Sequence, residues 1–149
     1  MAFSPDGKWL VTGGSKGMAR LWEATTGKEV ARMMHKEGAV EALVFSPNSK
    51  GLATGSSSIK HFHPFSGYIV DVPGKARIWE ASTGREVVRM VHEGGVRAIG
   101  FSPDAKWLAT GSRDHTARMW LWRPGGSDRR SLRPSDSQPY SGGVESVPG

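Results

Sequence analysis

Residues 76–87 read Ala76-Arg77-Ile78-Trp79-Glu80-Ala81-Ser82-Thr83-Gly84-Arg85-Glu86-Val87, and residues 19–30 read Ala19-Arg20-Leu21-Trp22-Glu23-Ala24-Thr25-Thr26-Gly27-Lys28-Glu29-Val30. The two stretches are near-copies. A second block recurs in phase with them, as Phe3-Ser4-Pro5-Asp6, Phe45-Ser46-Pro47-Asn48 and Phe101-Ser102-Pro103-Asp104. The Phe marks stand 42 and 56 residues apart, and Trp79 precedes Trp120 by 41. The longer interval is one period plus an insertion. Self-similarity at this period decides the fold before local propensity does, because each unit needs its neighbours to bury its apolar faces.

Within a unit the pattern is that of strands. Val40, Ala42 and Val44 alternate with Glu41, Leu43 and Phe45, and Val96, Ala98 and Gly100 with Arg97, Ile99 and Phe101. Low charge on both faces predicts inner strands covered from both sides. Pro-Asp-Gly, Pro-Asn-Ser and Pro-Asp-Ala then end each strand, since proline presets φ and Asp or Asn bonds its own backbone in a turn. Second strands are expected at 10–13, 52–55 and 108–111, and third strands at 19–24, 76–81 and 117–122. Thr26-Gly27 and Thr83-Gly84 predict hairpin turns into outer strands at 29–35 and 86–92. No helical period extends over any window, and 20 Gly with six Trp suit a turn-rich all-β chain.

These marks resemble the WD40 repeat family. The resemblance rests on Phe-Ser-Pro-Asp, on Trp107-Leu108-Ala109-Thr110-Gly111-Ser112, on Asp114-His115-Thr116-Ala117-Arg118-Met119-Trp120, and on His35 and His92 shortly before each new copy. The wording Trp-Glu-Ala-x-Thr-Gly-x-Glu-Val looks like that of bacterial-type WD40 proteins. The resemblance implies an all-β, partial WD40 β-propeller of three four-stranded-type blades. The expected blades are about 2–35, about 38–92 with an insertion at 56–74, and about 95–122. The first blade starts inside its inner strand and the third has no recognisable outer strand, so both are expected to be incomplete. Closed propellers need roughly 4–8 blades. Residues 123–149 are rich in Gly, Ser, Pro and Arg and are expected to form a disordered tail.

The formal charge is +6, from 20 Lys and Arg against 14 Asp and Glu, and it is spread over all copies without a dense basic run. Such charge solvates a surface and predicts no nucleic-acid partner. No stretch reaches membrane-spanning length and no leader is recognisable, which predicts no membrane partner and a cytoplasmic chain. The chain has no cysteine, so disulfide and thiolate chemistry are excluded.

For the third copy, the resemblance assigns His92, Thr110, Asp114 and Trp120 to the family's structural tetrad. These residue types also suit a catalytic relay. A buried hydrogen-bonded network accounts for them without a nucleophile or an oxyanion site, neither of which has a sequence signal. The other copies keep partial tetrads: Thr12 and Trp22 in the first, and His35, Thr54 and Trp79 in the second. The first copy carries Lys16 in the Asp position, and in the second that position falls at Pro73.

The insertion adds aromatic residues outside the repeat pattern. Its candidate partner-binding residues are His61, Phe62, Phe65 and Tyr68. It reads either as a hairpin of 59–65 with 68–72 across Ser66-Gly67, or as a spare third strand with Phe62 in the Trp position. His61 and His63 lack a third ligand at suitable spacing, so no metal and no cofactor are expected. The function expected is a non-catalytic protein–protein interaction scaffold, with a homo-oligomer or a complementing chain completing the propeller. One alternative is a truncated or frameshifted, non-functional fragment of a larger bacterial WD40 signalling protein. A further alternative is an enzyme using His92 and Asp114.

Overall fold

A computed structural model describes residues 1–122, apart from the side chains of Val70 and Asp71. The expected tail at 123–149 lies outside the described residues. The strands are β1 (Ala2–Phe3), β2 (Trp9–Gly13), β3 (Met18–Glu23), β4 (Glu29–Met34), β5 (Val40–Phe45), β6 (Gly51–Ser56), β7 (Ile59–Phe62), β8 (Ile69–Val72), β9 (Lys75–Glu80), β10 (Glu86–Val91), β11 (Val96–Phe101), β12 (Trp107–Ser112) and β13 (Ala117–Leu121). They form three blades: β1-β2-β3-β4, β5-β6-β9-β10 and β11-β12-β13. A separate hairpin, β7-β8, stands beside them. Every pairing is antiparallel.

The Ser-Pro-Asp/Asn blocks form the turns between first and second strands. Ser46 Oγ donates to Asn48 Oδ1 at 2.6 Å while accepting the Gly51 amide at 2.8 Å. Ser4 with Asp6 and Ser102 with Asp104 repeat the pair at 2.6 and 2.5 Å. Each turn contains one left-handed residue, with φ of 74° at Gly7, 60° at Ser49 and 58° at Ala105. Only the first copy fills that position with the residue that adopts it without a Cβ penalty.

Strands expose alternate side chains to opposite faces, so each blade has a near face toward the preceding blade and a far face toward the following one. Val11, Ala19, Leu21 and Met33 on the far face of blade one pack on Phe45, Leu52, Trp79 and Ala81 on the near face of blade two. Ala53, Ala76, Ile78 and Met90 on blade two's far face pack on Val96, Leu108, Trp120 and Trp122 of blade three. The middle blade is therefore covered on both sides, and every residue of β6 is buried. Gly13 and Gly55 permit the close approach. A Cβ at Gly13 would lie 2.9 Å from Val40 Cγ1, and one at Gly55 2.8 Å from Val96 Cγ1.

Candidate functional site: polar relays and a surplus hairpin

Blade three carries an unbroken polar relay. Trp120 Nε1 donates to Thr110 Oγ1 at 2.9 Å, and Thr110 Oγ1 meets His92 Nε2 at 2.7 Å. His92 Nδ1 faces Asp114 Oδ2 at 3.3 Å. Asp114 also accepts the Glu93 amide at 3.1 Å and the Thr116 amide at 2.9 Å. β12 supplies Thr110, β13 supplies Trp120, and the turns after β10 and β12 bring His92 and Asp114 together. His92 is fully buried. Burial and the nearby Arg118 hold it below the ordinary imidazole range, despite the opposing charge of Asp114. Burial pushes Asp114 upward, but its hydrogen bonds from Thr116 and His92 hold it at about 2.

Blade two wires the same core differently. Trp79 Nε1 donates to Thr54 Oγ1 at 2.7 Å, and His35 Nε2 meets Thr54 Oγ1 at 2.6 Å. The other ring nitrogen of His35 accepts from the Arg77 guanidinium. Arg77 is clamped in turn by Glu37, with Nη1 to Oε2 at 2.8 Å and Nη2 to Oε1 at 2.7 Å, and Lys75 Nζ reaches Glu37 Oε1 at 2.7 Å. The residue aligned with the aspartate, Pro73, plays no part in these bonds. Glu37 supplies the carboxylate, acting on His35 through Arg77. Burial and then the Arg77 charge push His35 down to about 4. Glu37 is opposed by burial, yet its bonds to Arg77 and Lys75 take it to about 2. One signal for this arrangement was in the sequence: His35 lies five residues before Val40, whereas His92 lies four before Val96. The additional residue brings Glu37 within reach.

Blade one keeps the bond from Trp22 Nε1 to Thr12 Oγ1 at 3.0 Å. His35 and His92 stand edge-on to Trp79 and Trp120 at ring-centroid distances of 5.9 and 6.2 Å. The corresponding side of Trp22 is a depression of about 530 Å³ lined by Thr12, Lys16, Met18, Arg20, Trp22 and Met34, among others.

The WD domain, G-beta repeat family matches residues 1–23, 27–60 and 85–120, more than half of the chain. The chain belongs to the WD40 repeat family. It is 33% identical over 136 residues to the nuclear distribution protein nudF of Aspergillus niger, covering 81% of this chain and 29% of that protein. It is 31% identical over 117 residues to the target of rapamycin complex subunit wat1 of Schizosaccharomyces pombe, covering 76% and 32%. It is 28% identical over 123 residues to centriole proteome protein 16 of Chlamydomonas reinhardtii, covering 82% and 5%. The chain thus spans about a third or less of these curated relatives. They are fungal and algal, and give no support to the bacterial likeness expected from the wording of the repeats.

The second WD40 match ends at residue 60, inside β7, whereas the strand that completes blade two is β9. The hairpin explains this. In β9-β10 the Glu80 amide bonds Arg85 O at 2.8 Å and the Gly84 amide bonds Glu80 O at 2.8 Å, with Gly84 at φ 71°. In β7-β8 the His63 amide bonds Tyr68 O at 2.9 Å and the Gly67 amide bonds His63 O at 2.9 Å, with Gly67 at φ 70°. Phe62 pairs with Ile69 as Trp79 pairs with Glu86. The insertion is thus a surplus WD40 third-and-outer-strand hairpin. β6 pairs with β9, which leaves the surplus copy outside the blade.

Consequently the hairpin's large side chains face solvent. Phe62, Phe65, Tyr68 and Ile69 are all more than half exposed, and His61 and His63 are exposed too. Among the described residues no three His, Asp or Glu side chains gather closely enough to hold a metal ion. The relays are equally unsuited to turnover. Their histidines are almost completely buried, at 2% and 0% exposure for His35 and His92, so neither ring is within reach of a substrate.

Proposed function

We propose that the chain is a non-catalytic WD40-type protein-interaction module that acts as a scaffold, located in the cytoplasm. One observation carries the reading: large apolar side chains stand exposed on the end faces of the array, Phe3 and Met119 among them, and on the β7-β8 hairpin, at Phe62, Phe65, Tyr68 and Ile69. Exposed aromatic side chains clustered on a hairpin are suited to act as interface anchors. The two end faces suit further blades, from a second copy or a complementing chain. Phe62, Phe65 and Tyr68 are the docking anchors of the hairpin, with His61 beside them.

The test compares the parent chain with the Phe62→Ser/Phe65→Ser/Tyr68→Ser variant, both immobilised, by quantitative mass spectrometry of retained proteins and by the affinity of each purified partner. Loss of about 2 kcal/mol per anchor, roughly thirtyfold in Kd, is expected. Equal retention by the two chains, with melting curves unchanged, removes the hairpin from the binding surface. Loss of folding in the variant assigns the aromatics to the blade.

A second reading is favoured by the coverage, 29% of nudF and 32% of wat1. The chain is then a truncated or frameshifted segment of a longer WD40 protein, and further blades of that protein cover the end faces. The genomic sequence on both sides of the reading frame decides this. Further WD40 repeats in any frame support it, and their absence removes it.

A further inference from the structure

We propose that the chain docks head to tail with a second copy of itself. The far face of blade three packs on the near face of blade one, and the three described blades of each of two copies close a ring of six. This rests on the reading of the chain as an interaction module and names the partner of its end faces.

The same joint is already made twice inside the chain. Far-face Leu21 is 0% exposed against blade two and its counterpart Ile78 is 1% exposed against blade three, whereas the third counterpart, Met119, is 36% exposed. Ala109 and Ala117 are exposed beside it, while their counterparts Val11, Ala19, Ala53 and Ala76 are fully buried. Near-face Phe45 is 5% exposed and Phe3, at the same position in blade one, is 64% exposed.

The glycine contacts carry over in part: the position of Leu43 and Ile99 has a counterpart in blade one, and that of Val40 and Val96 has none. A Cβ at Gly13 would meet Val40 and Leu43, and one at Gly55 would meet Val96 and Ile99. The third glycine of the series, Gly111, has only Ala98 of its own blade within reach, at 3.6 Å. The residue that stands where Leu43 stands is Met1, and it is exposed. Size is matched as well. Trp9 packs on the cluster that holds Ala81, and a Cβ at Gly51 would lie 3.0 Å from Trp122. The third joint would bring Trp107 to Ala24, large against small as in the first.

The far face of blade three presents Ala98, Ala109, Gly111, Ala117 and Met119 with no charge among them. It therefore needs an apolar near face of the kind blade one presents. A joint between two unlike faces closes into a ring when its rotation permits, and six blades lie within the roughly 4–8 found in closed propellers.

Light scattering on the full-length chain, coupled to size exclusion, tests the joint. The parent is expected at twice the 16.1 kDa chain mass. Met119→Glu on the far face and Phe3→Glu on the near face are each expected to run as single chains. A mixture of the two is expected to return to the two-chain mass, because one intact joint remains between them. Circular dichroism controls for folding, and Ala109→Lys replaces Met119→Glu if that variant fails to fold. A compact parent monomer, single variants that stay dimeric, or a mixture that does not pair overturns the proposal. Larger polymers abolished by both variants keep the joint and overturn the six-blade ring. A monomer that still holds a hairpin-dependent protein partner overturns only the second copy. A dimer whose hairpin variant loses no partner overturns only the hairpin reading.

Discussion

Arg77 donates to Nδ1 of His35 at the position where the Asp114 carboxylate faces Nδ1 of His92. A guanidinium only donates and an ionised carboxylate only accepts. The two histidines therefore hold opposite tautomers. His35 carries its proton on Nε2 and gives it to Thr54, while His92 carries its proton on Nδ1 and accepts at Nε2 from Thr110. Long-range ¹⁵N correlation spectra at neutral pH are expected to assign Nε2–H to His35 and Nδ1–H to His92. A shared tautomer would refute the rewiring of blade two.

Asp114→Ala removes a carboxylate that serves His92, the Glu93 amide and Thr116. Leaving buried donors unpaired costs about 1–3 kcal/mol. Lys16, at the matching position of blade one, is exposed, and Lys16→Ala is expected to stay within about 0.5 kcal/mol. Urea denaturation of both variants checks the difference, and equal shifts would remove Asp114 from the relay.

Glu37→Ala is expected to be costlier. It strands the buried Arg77 guanidinium beside His35 and frees Lys75, and removing one member of a buried pair costs about 3–5 kcal/mol. Glu80→Ala, which loses only exposed contacts to Thr83 and Arg85, serves as the comparison in the same denaturation series. A Glu37 variant as stable as the Glu80 one would mean that the clamp contributes nothing.

Stability is expected to fall with acid in two windows. His35 is depressed from 6.5 to about 4, so its neutral folded form gives stability that is present above pH 6.5 and lost as pH falls toward 4. Glu37, depressed from 4.5 to about 2, and Asp114, from 3.8 to about 2, add a second loss between those limits. Melting temperatures measured from pH 7 to 3 check this. His92, also depressed below 6.5, contributes to the upper window, so His35→Gln is expected to shrink that window without abolishing it and to leave the lower one unchanged. Rising stability on acidification would contradict the sign for all three groups.

The glycines of the blade joints give a paired test. Gly55→Ala sets a Cβ 2.8 Å from Val96 Cγ1 and 2.9 Å from Ile99 Cδ1, so two packed sheets must separate, which costs about 1–3 kcal/mol. Gly111→Ala meets only Ala98 at 3.6 Å and is expected to leave the fold of a single chain intact. It is also expected to weaken the docking of a second copy. Thermal melts of both variants, with the chain mass of the second, separate these effects.

The sequence by itself determined the blades, because repeats in phase locate strands, turns and buried faces without coordinates. The Ser-Pro-Asp turns and the Gly-marked hairpins were legible from spacing, and the residues gathered around Trp120 from the resemblance to the WD40 family. Tertiary structure alone decided which of two hairpins completes blade two. β7-β8 and β9-β10 share one turn geometry, and both fit the local pattern of a third strand. The choice falls on the hairpin whose Ile78 and Trp79 are packed between neighbouring blades and whose Arg77 reaches Glu37. Those contacts join residues about 40 positions apart, so no window of sequence contains them.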